Sequence, residues 1–242
     1  MIKIILLILS YISVLVVNIL ANTLPINEQT TGAISARIPA LFTPASYVFT
    51  IWILIYIFLA FWIWNIIKEY RSNVKISSTR VILFLATCGL NIAWIFLWHY
   101  EKFSYSLITN IALLWSLFLL YLTYSVEETN WRRRLPISIY LGWIFVANFA
   151  NLDYVLTYYE FSGFGITNSL WVVIFLTIAT AVALHFRYHF HDRALVLVFI
   201  WAFVGIAYRH MFNELLISAA SIFLSAVLIV GILFIKKTPA KK

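Results

Sequence analysis

Flat aromatic rings beside amides, repeated at helical spacing in three apolar stretches, are the residues of this chain best suited to chemistry. In LPISIYLGWIFVANFAN (135–151), Tyr140, Trp143, Ala147 and Asn151 form one stripe that continues to Tyr154, because residues three and four apart share a helix face. In TPASYVFTIWILIYI the stripe is Val48, Trp52 and Tyr56; in TCGLNIAWIFLW it is Thr87, Asn91, Trp94 and Trp98. Rings with an adjacent polar group are the ingredients of a mostly apolar pocket with a few orienting hydrogen bonds. The chemistry would be stacking and orientation of a flat hydrophobic ligand. An unpaired amide is costly in hydrocarbon, so each asparagine needs something to face. Asn151 lies on the Trp143 stripe and is read as a pocket residue. Asn148 is turned about 140° from Trp143 and is expected to bond a neighbouring helix, among the last three. Helix packing alone explains any single one of these residues; the coincidence of three stripes carries the reading.

Other chemistry finds less support. His185 and His189 in HFRYHFHDR are four apart, a spacing that can hold a metal on one helix face. That segment reads as a turn between spans, where snorkelling basic and aromatic residues are expected, and His99 and His210 fall at the opposite membrane face. No metal site is expected. Asp153 and Glu160 read as interfacial acids, and Glu214 as an acid favoured by the start of the last helix. No carboxylate pair, glycine-rich phosphate loop or nucleophile–base arrangement occurs, so no enzymatic activity is expected.

The elements that must position these residues are transmembrane helices. Of 242 residues, 64% are hydrophobic and 11% charged, and the mean hydropathy is +0.96. A soluble domain carries roughly a quarter charged residues, so this surface belongs in a bilayer. Eight apolar runs, near the ~20 residues that cross the hydrocarbon, predict helices at about 2–21, 44–67, 79–98, 105–125, 135–158, 166–186, 194–209 and 213–235, an all-α bundle. Pro44 is expected at the start of the second helix, where its missing N–H does no harm. The first run reads as an uncleaved helix, and Trp131 and Trp171 as members of the interfacial aromatic belt. With eight spans, 14 of the 17 Lys and Arg fall on one side, with both termini, leaving Arg37, Lys102 and Arg209 on the other. Basic loops mark the cytoplasmic face, so the net charge of +8 encodes topology and does not indicate nucleic acid. The tail KKTPAKK is expected to stop translocation and meet anionic lipid. Cys88 alone makes no disulfide framework.

The three stretches resemble the translocator protein family, also called peripheral-type benzodiazepine receptors or tryptophan-rich sensory proteins. Pro44, Phe49, Trp52 and Tyr56 are similar to the segment opening that family's second helix. Asn91 and Trp94 match its Asn-x-x-Trp pattern. Pro136, Tyr140, Trp143, Ala147 and Asn151 follow its fifth helix, with the tyrosine further from the proline than usual. The resemblance covers about residues 1–158 and implies a five-helix bundle around a ligand pocket, covered by the first loop and lined by Trp52 and Trp143, with Asn91 as a polar contact. The family's ligands include porphyrins, sterols and synthetic isoquinoline carboxamides. Two features depart from it. The loop NEQTTGAISARIPALF lacks the family's Trp-Tyr pair and Lys-Pro, and three further spans with a basic tail (159–242) follow, as in the extended bacterial form.

The expectation is therefore an inner-membrane protein that binds a flat lipophile, a porphyrin or haem-type ligand among the candidates, and acts as sensor, carrier or regulator. The alternatives are a transporter whose last three spans move against the first five, and an assembly protein whose aromatics only pack. Expected partners are the lipid bilayer, a hydrophobic small molecule and a second copy of the chain as a homodimer.

Overall fold

The computed structural model describes residues 1–24, 26–124 and 131–235. The expectations placed on the side chain of Trp131 and on the tail 236–242 lie outside the described residues. Eight long helices are apolar enough to cross a membrane: α1 (Ile2–Thr23), α3 (Ile51–Arg71), α4 (Ser78–His99), α5 (Phe103–Leu122), α6 (Trp131–Tyr158), α7 (Asn168–His189), α8 (Arg193–His210) and α9 (Leu215–Phe234), with the short α2 (Thr31–Ala36) in the first loop. Among the described residues there is no strand. This is an integral membrane protein.

Local signals set several ends. Ser77, Thr167 and Asp192 cap α4, α7 and α8 by accepting the backbone N–H three residues on. The second span differs from expectation at its start: it opens as a 3-10 turn, Ser46–Thr50, and becomes α-helical only at Ile51. Pro44 therefore lies ahead of the helix. The reason is tertiary, because Ala45 N–H donates to the carbonyl of Gly205 on α8 (3.1 Å) and so holds the entering chain outside helical geometry.

The first five spans close a ring in the order α3–α1–α4–α5–α6, with α6 returning to α3; α8 packs on the outside of α6, and α7 and α9 pack on α8 and on each other. The α6–α8 seam is tight because Gly142 has no side chain: a Cβ there would stand 3.2 Å from both the Leu195 carbonyl and the Val198 Cβ. Arg187, in the last turn of α7, donates to the carbonyls of Ile232 and Ile235 at the end of α9.

Two buried carboxylates clamp the seam at its ends. At the basic end, Asp192 accepts hydrogen bonds from Ser138 of α6 (2.6 Å), Tyr121 of α5 (2.9 Å) and its own cap N–H at Leu195 (3.0 Å), with Arg134 at 3.8 Å. At the other end, Asp153 of α6 accepts the N–H of Phe42 in the first loop (2.8 Å). The interfacial placement expected of Asp153 is thus corrected: it is 6% exposed, because the loop folds down over it. Asn148 does bond a neighbour, but its Nδ2 donates to the Asn110 carbonyl of α5 (3.2 Å) and not to the last three helices, since α5 is the helix that packs along that side of α6.

Asp192→Ala leaves Arg134 without its buried counter-charge, orphans the Tyr121 hydroxyl and removes the α8 cap, and should cost about 3–5 kcal/mol. Glu28→Ala, at an exposed loop position, should stay within about 0.5 kcal/mol. Denaturant unfolding of the two purified variants in one detergent checks the contrast.

Candidate ligand site

Inside the ring, three helices bring their stripes to one place. Trp52 of α3 lies at the centre. Its ring stacks on Tyr56 (5.7 Å, 20°), tilts against Trp94 of α4 (6.4 Å), and meets Tyr140 (5.9 Å) and Trp143 (6.3 Å) of α6 edge to face. Phe49 adds a second edge contact to Trp143 (5.8 Å, 90°). Offset and edge-to-face pairs at these separations are favoured by the ring quadrupoles. The rings pack on one another, so a ligand entering here must part them.

Asn91 is wholly buried and joins three helices. Its Oδ1 accepts from Asn18 of α1 (2.8 Å) and its Nδ2 donates to the Tyr140 hydroxyl (3.2 Å). Asn18 drew no attention in the sequence, where a lone amide on a lipid-rich helix carries no spacing signal. Asn151 and Ala147 stand apart. Along α6, Asn151 is about 12 Å from Trp143 at 1.5 Å per residue; it is 4% exposed, and its Oδ1 has no hydrogen-bond partner. Ala147 is half-buried between them. Val48, in line with Trp52 in the sequence, turns instead to α8: its carbonyl accepts from Trp201 Nε1 (3.1 Å), and its side chain fills the space left by Gly205.

Three more polar atoms in the cluster are buried without a partner: Tyr56 Oη, Trp94 Nε1 and Trp143 Nε1. Each such group costs on the order of 1–3 kcal/mol. They lie where the rings meet; other buried unpartnered atoms, on Ser106 and Asn110 of α5 and Asn148 and Asn151 of α6, line the α5–α6 side.

Above the cluster the first loop forms a fitted cover. Ile34 and Ala40 are fully buried against Trp98, Phe103 and Tyr154. Tyr154 donates to the Ile34 carbonyl (3.0 Å). The buried His99 ring joins Thr31 Oγ1 through Nε2 and the Ile26 carbonyl through Nδ1, both at 3.0 Å, while Asn27 donates to the His99 carbonyl. Arg37 pairs with Glu101 at 2.8 Å and also donates to Gln29. The cover is fastened equally to α8, where Arg209 donates to the Thr43 carbonyl and His210 Nε2 lies on the Leu41 carbonyl, both at 2.7 Å.

A family model described as TSPO-like protein matches residues 4–234. The chain belongs to that family. The match runs through all eight spans, α7–α9 included, and so extends past the stretch whose motifs carried the resemblance. No curated protein and no solved structure matches the chain.

His185 and His189 have ring centroids 4.4 Å apart, and among the described residues no three His, Cys, Asp or Glu are grouped to hold a metal. Trp171 is half-buried and donates to the Gly163 carbonyl (3.0 Å). Glu214 accepts from Ser169 (2.9 Å).

Replacing His99 with Ala removes two anchors of the cover and should cost about 1–3 kcal/mol locally, read as faster hydrogen exchange across residues 26–36 with the helices unaffected. The Arg37 guanidinium holds the Glu101 carboxyl below its ordinary value. A depressed carboxylate contributes its link above the ordinary range and loses it as pH falls through its own value. The protection of the Arg37 segment, measured as exchange relative to an unstructured chain at the same pH, should therefore fall on acidification below the carboxylate range, and Glu101→Gln should remove that pH dependence.

Proposed function

We propose that this family member binds a flat hydrophobic ligand in the ring interior, under the first loop, and acts as a sensor, carrier or regulator of that ligand rather than as an enzyme. The observation that carries the reading is the cluster around Trp52: five aromatic side chains from three helices, with hydrogen-bonding atoms of Tyr56, Trp94 and Trp143 buried and unpartnered. Native interiors satisfy nearly all buried polar groups, and three that are unsatisfied here adjoin the rings of this cluster. A ligand parting the rings would stack on Trp52 and Trp143 and meet those groups. Asn91 would hold the site open-ended through Asn18 and Tyr140, Asn151 would stand nearer the cover, and Ala147 would leave room between them. A porphyrin or haem-type lipophile suits the flat surfaces.

The same reading places the basic end of the bundle, and with it both termini, in the cytoplasm, in a bacterial inner membrane, because Lys3, Lys68, Arg71, Lys75, Arg80, Arg133, Arg134, Arg187 and Arg193 gather there. Transport by motion of the last three helices against the ring has less support, because that seam is tied at both ends.

Tryptophan fluorescence of the purified protein titrated with protoporphyrin IX tests the site. Saturable quenching should occur, and the Trp52→Ala/Trp143→Ala variant should weaken it by at least tenfold while its helix content is kept. Equal quenching in both proteins would reject the site.

A further inference from the structure

A cavity of about 310 Å³ opens at the end of the molecule opposite the basic face, between the last turns of α6, the loop that follows it and the start of α7. Four of its seven lining residues are polar, Asp153, Thr157, Glu160 and Asn168, and none is Lys, Arg or His. Asp153, Thr157 and Glu160 recur at four- and three-residue spacing, so they rise along one face of α6 and the turn that ends it. Asp153 marks the inner end, 6% exposed, while Glu160 and Asn168 are exposed at the mouth.

The lining has a sign. Asp153 accepts the Phe42 N–H, and Arg209 acts on its charge through space. That guanidinium is held by the Thr43 carbonyl (2.7 Å) and does not line the cavity. Among the described residues the Glu160 carboxylate has no hydrogen bond or ion pair. Thr157 spends its proton on the Asp153 carbonyl (2.8 Å), which leaves its oxygen as an acceptor. At the start of α7, where backbone donors would oppose a cation, the Leu170 N–H is taken by the Thr167 cap (3.3 Å). The remaining wall is aromatic. Trp171 gives its Nε1 proton to the Gly163 carbonyl (3.0 Å) and meets Phe161 at 62° (6.2 Å), so its ring is fixed and its donor is already used.

Carboxylates, further oxygen acceptors and a fixed aromatic corner are the groups that recognise an ammonium. A single metal ion fits the spacing less well. Asp153 and Glu160 are spread over about 10 Å of chain at helical rise, and one ion binds only oxygens within about 2.6 Å of it. We propose that this cavity binds a short organic dication, an α,ω-diamine, with one ammonium at Asp153, the other at Glu160, and its chain against Trp171 and Phe161. One wall is α7, which lies outside the ring, so the site is separate from the aromatic cluster and does not depend on a ligand there.

Isothermal titration calorimetry of the full chain in a neutral maltoside detergent, with 1,4-diaminobutane as the probe, tests this. One diamine should bind per chain, butylamine should bind about fivefold more weakly, and 1,4-butanediol should give no saturable heat. Glu160→Gln, at an exposed position where folding is not at stake, should weaken the diamine about fivefold, to the level of butylamine. Asp153→Asn keeps an acceptor for the Phe42 N–H and should weaken both amines. Glu28→Gln, an exposed acid outside the cavity, should change nothing. No saturable diamine binding, unchanged affinity in Glu160→Gln, or displacement of the diamine by an equal concentration of calcium would overturn the proposal.

Discussion

Hydrocarbon offers no hydrogen bonds, and the structure depends on that constraint more than on any single contact. Every polar side chain turned inward must find its partner within the chain. Asp192 does so by drawing Ser138, Tyr121 and the start of α8 to one point. Asn91 does so by joining α1 to α6. Asp153 and His99 do so by capturing backbone of the first loop. The bundle is apolar over most of its surface, so these few polar junctions fix which helices meet and at what height. The constraint is not met at Tyr56, Trp94 and Trp143 in the aromatic cluster, nor at Ser106 and Asn110 on α5.

The same junctions decide how the last three helices relate to the first five. The seam at α6 and α8 is closed by Gly142, pinned by Asp192 at one end, and tied at the other through the first loop to Gly205, Arg209 and His210. A loop that covers the ring interior is held by a helix outside the ring. Any state that lifts the cover has to release contacts on α8 as well as those on His99 and Tyr154. The added helices therefore bear on access to the core without contributing a side chain to the aromatic cluster.

Much of this was legible in the sequence, for identifiable reasons. Eight apolar runs gave eight spans because length and hydropathy report directly on the bilayer. The stripes through Trp52, Trp94 and Trp143 converged because side-chain direction on a helix follows from spacing. What was not legible depended on contacts distant in sequence. Asn18 finds Asn91 across 73 positions and Phe42 finds Asp153 across 111, with no periodic pattern to announce either. The first loop has no repeat at all, so its fit against Trp98 and Tyr154 could not be read from it. Asn148 was rightly expected to bond a neighbour, but which neighbour was set by packing around α6. Asn151 shares the Trp143 stripe, yet a stripe gives direction and not depth.

The central claim is that a ligand enters the aromatic cluster beneath the first loop. Hydrogen exchange of the full chain in lipid discs, with and without protoporphyrin IX, tests it most directly. The account predicts that saturating ligand slows exchange about tenfold or more in residues 26–36, the cover, because occupation of the site below steadies it. Exchange left unchanged there, or protection confined to α7–α9, would contradict the account.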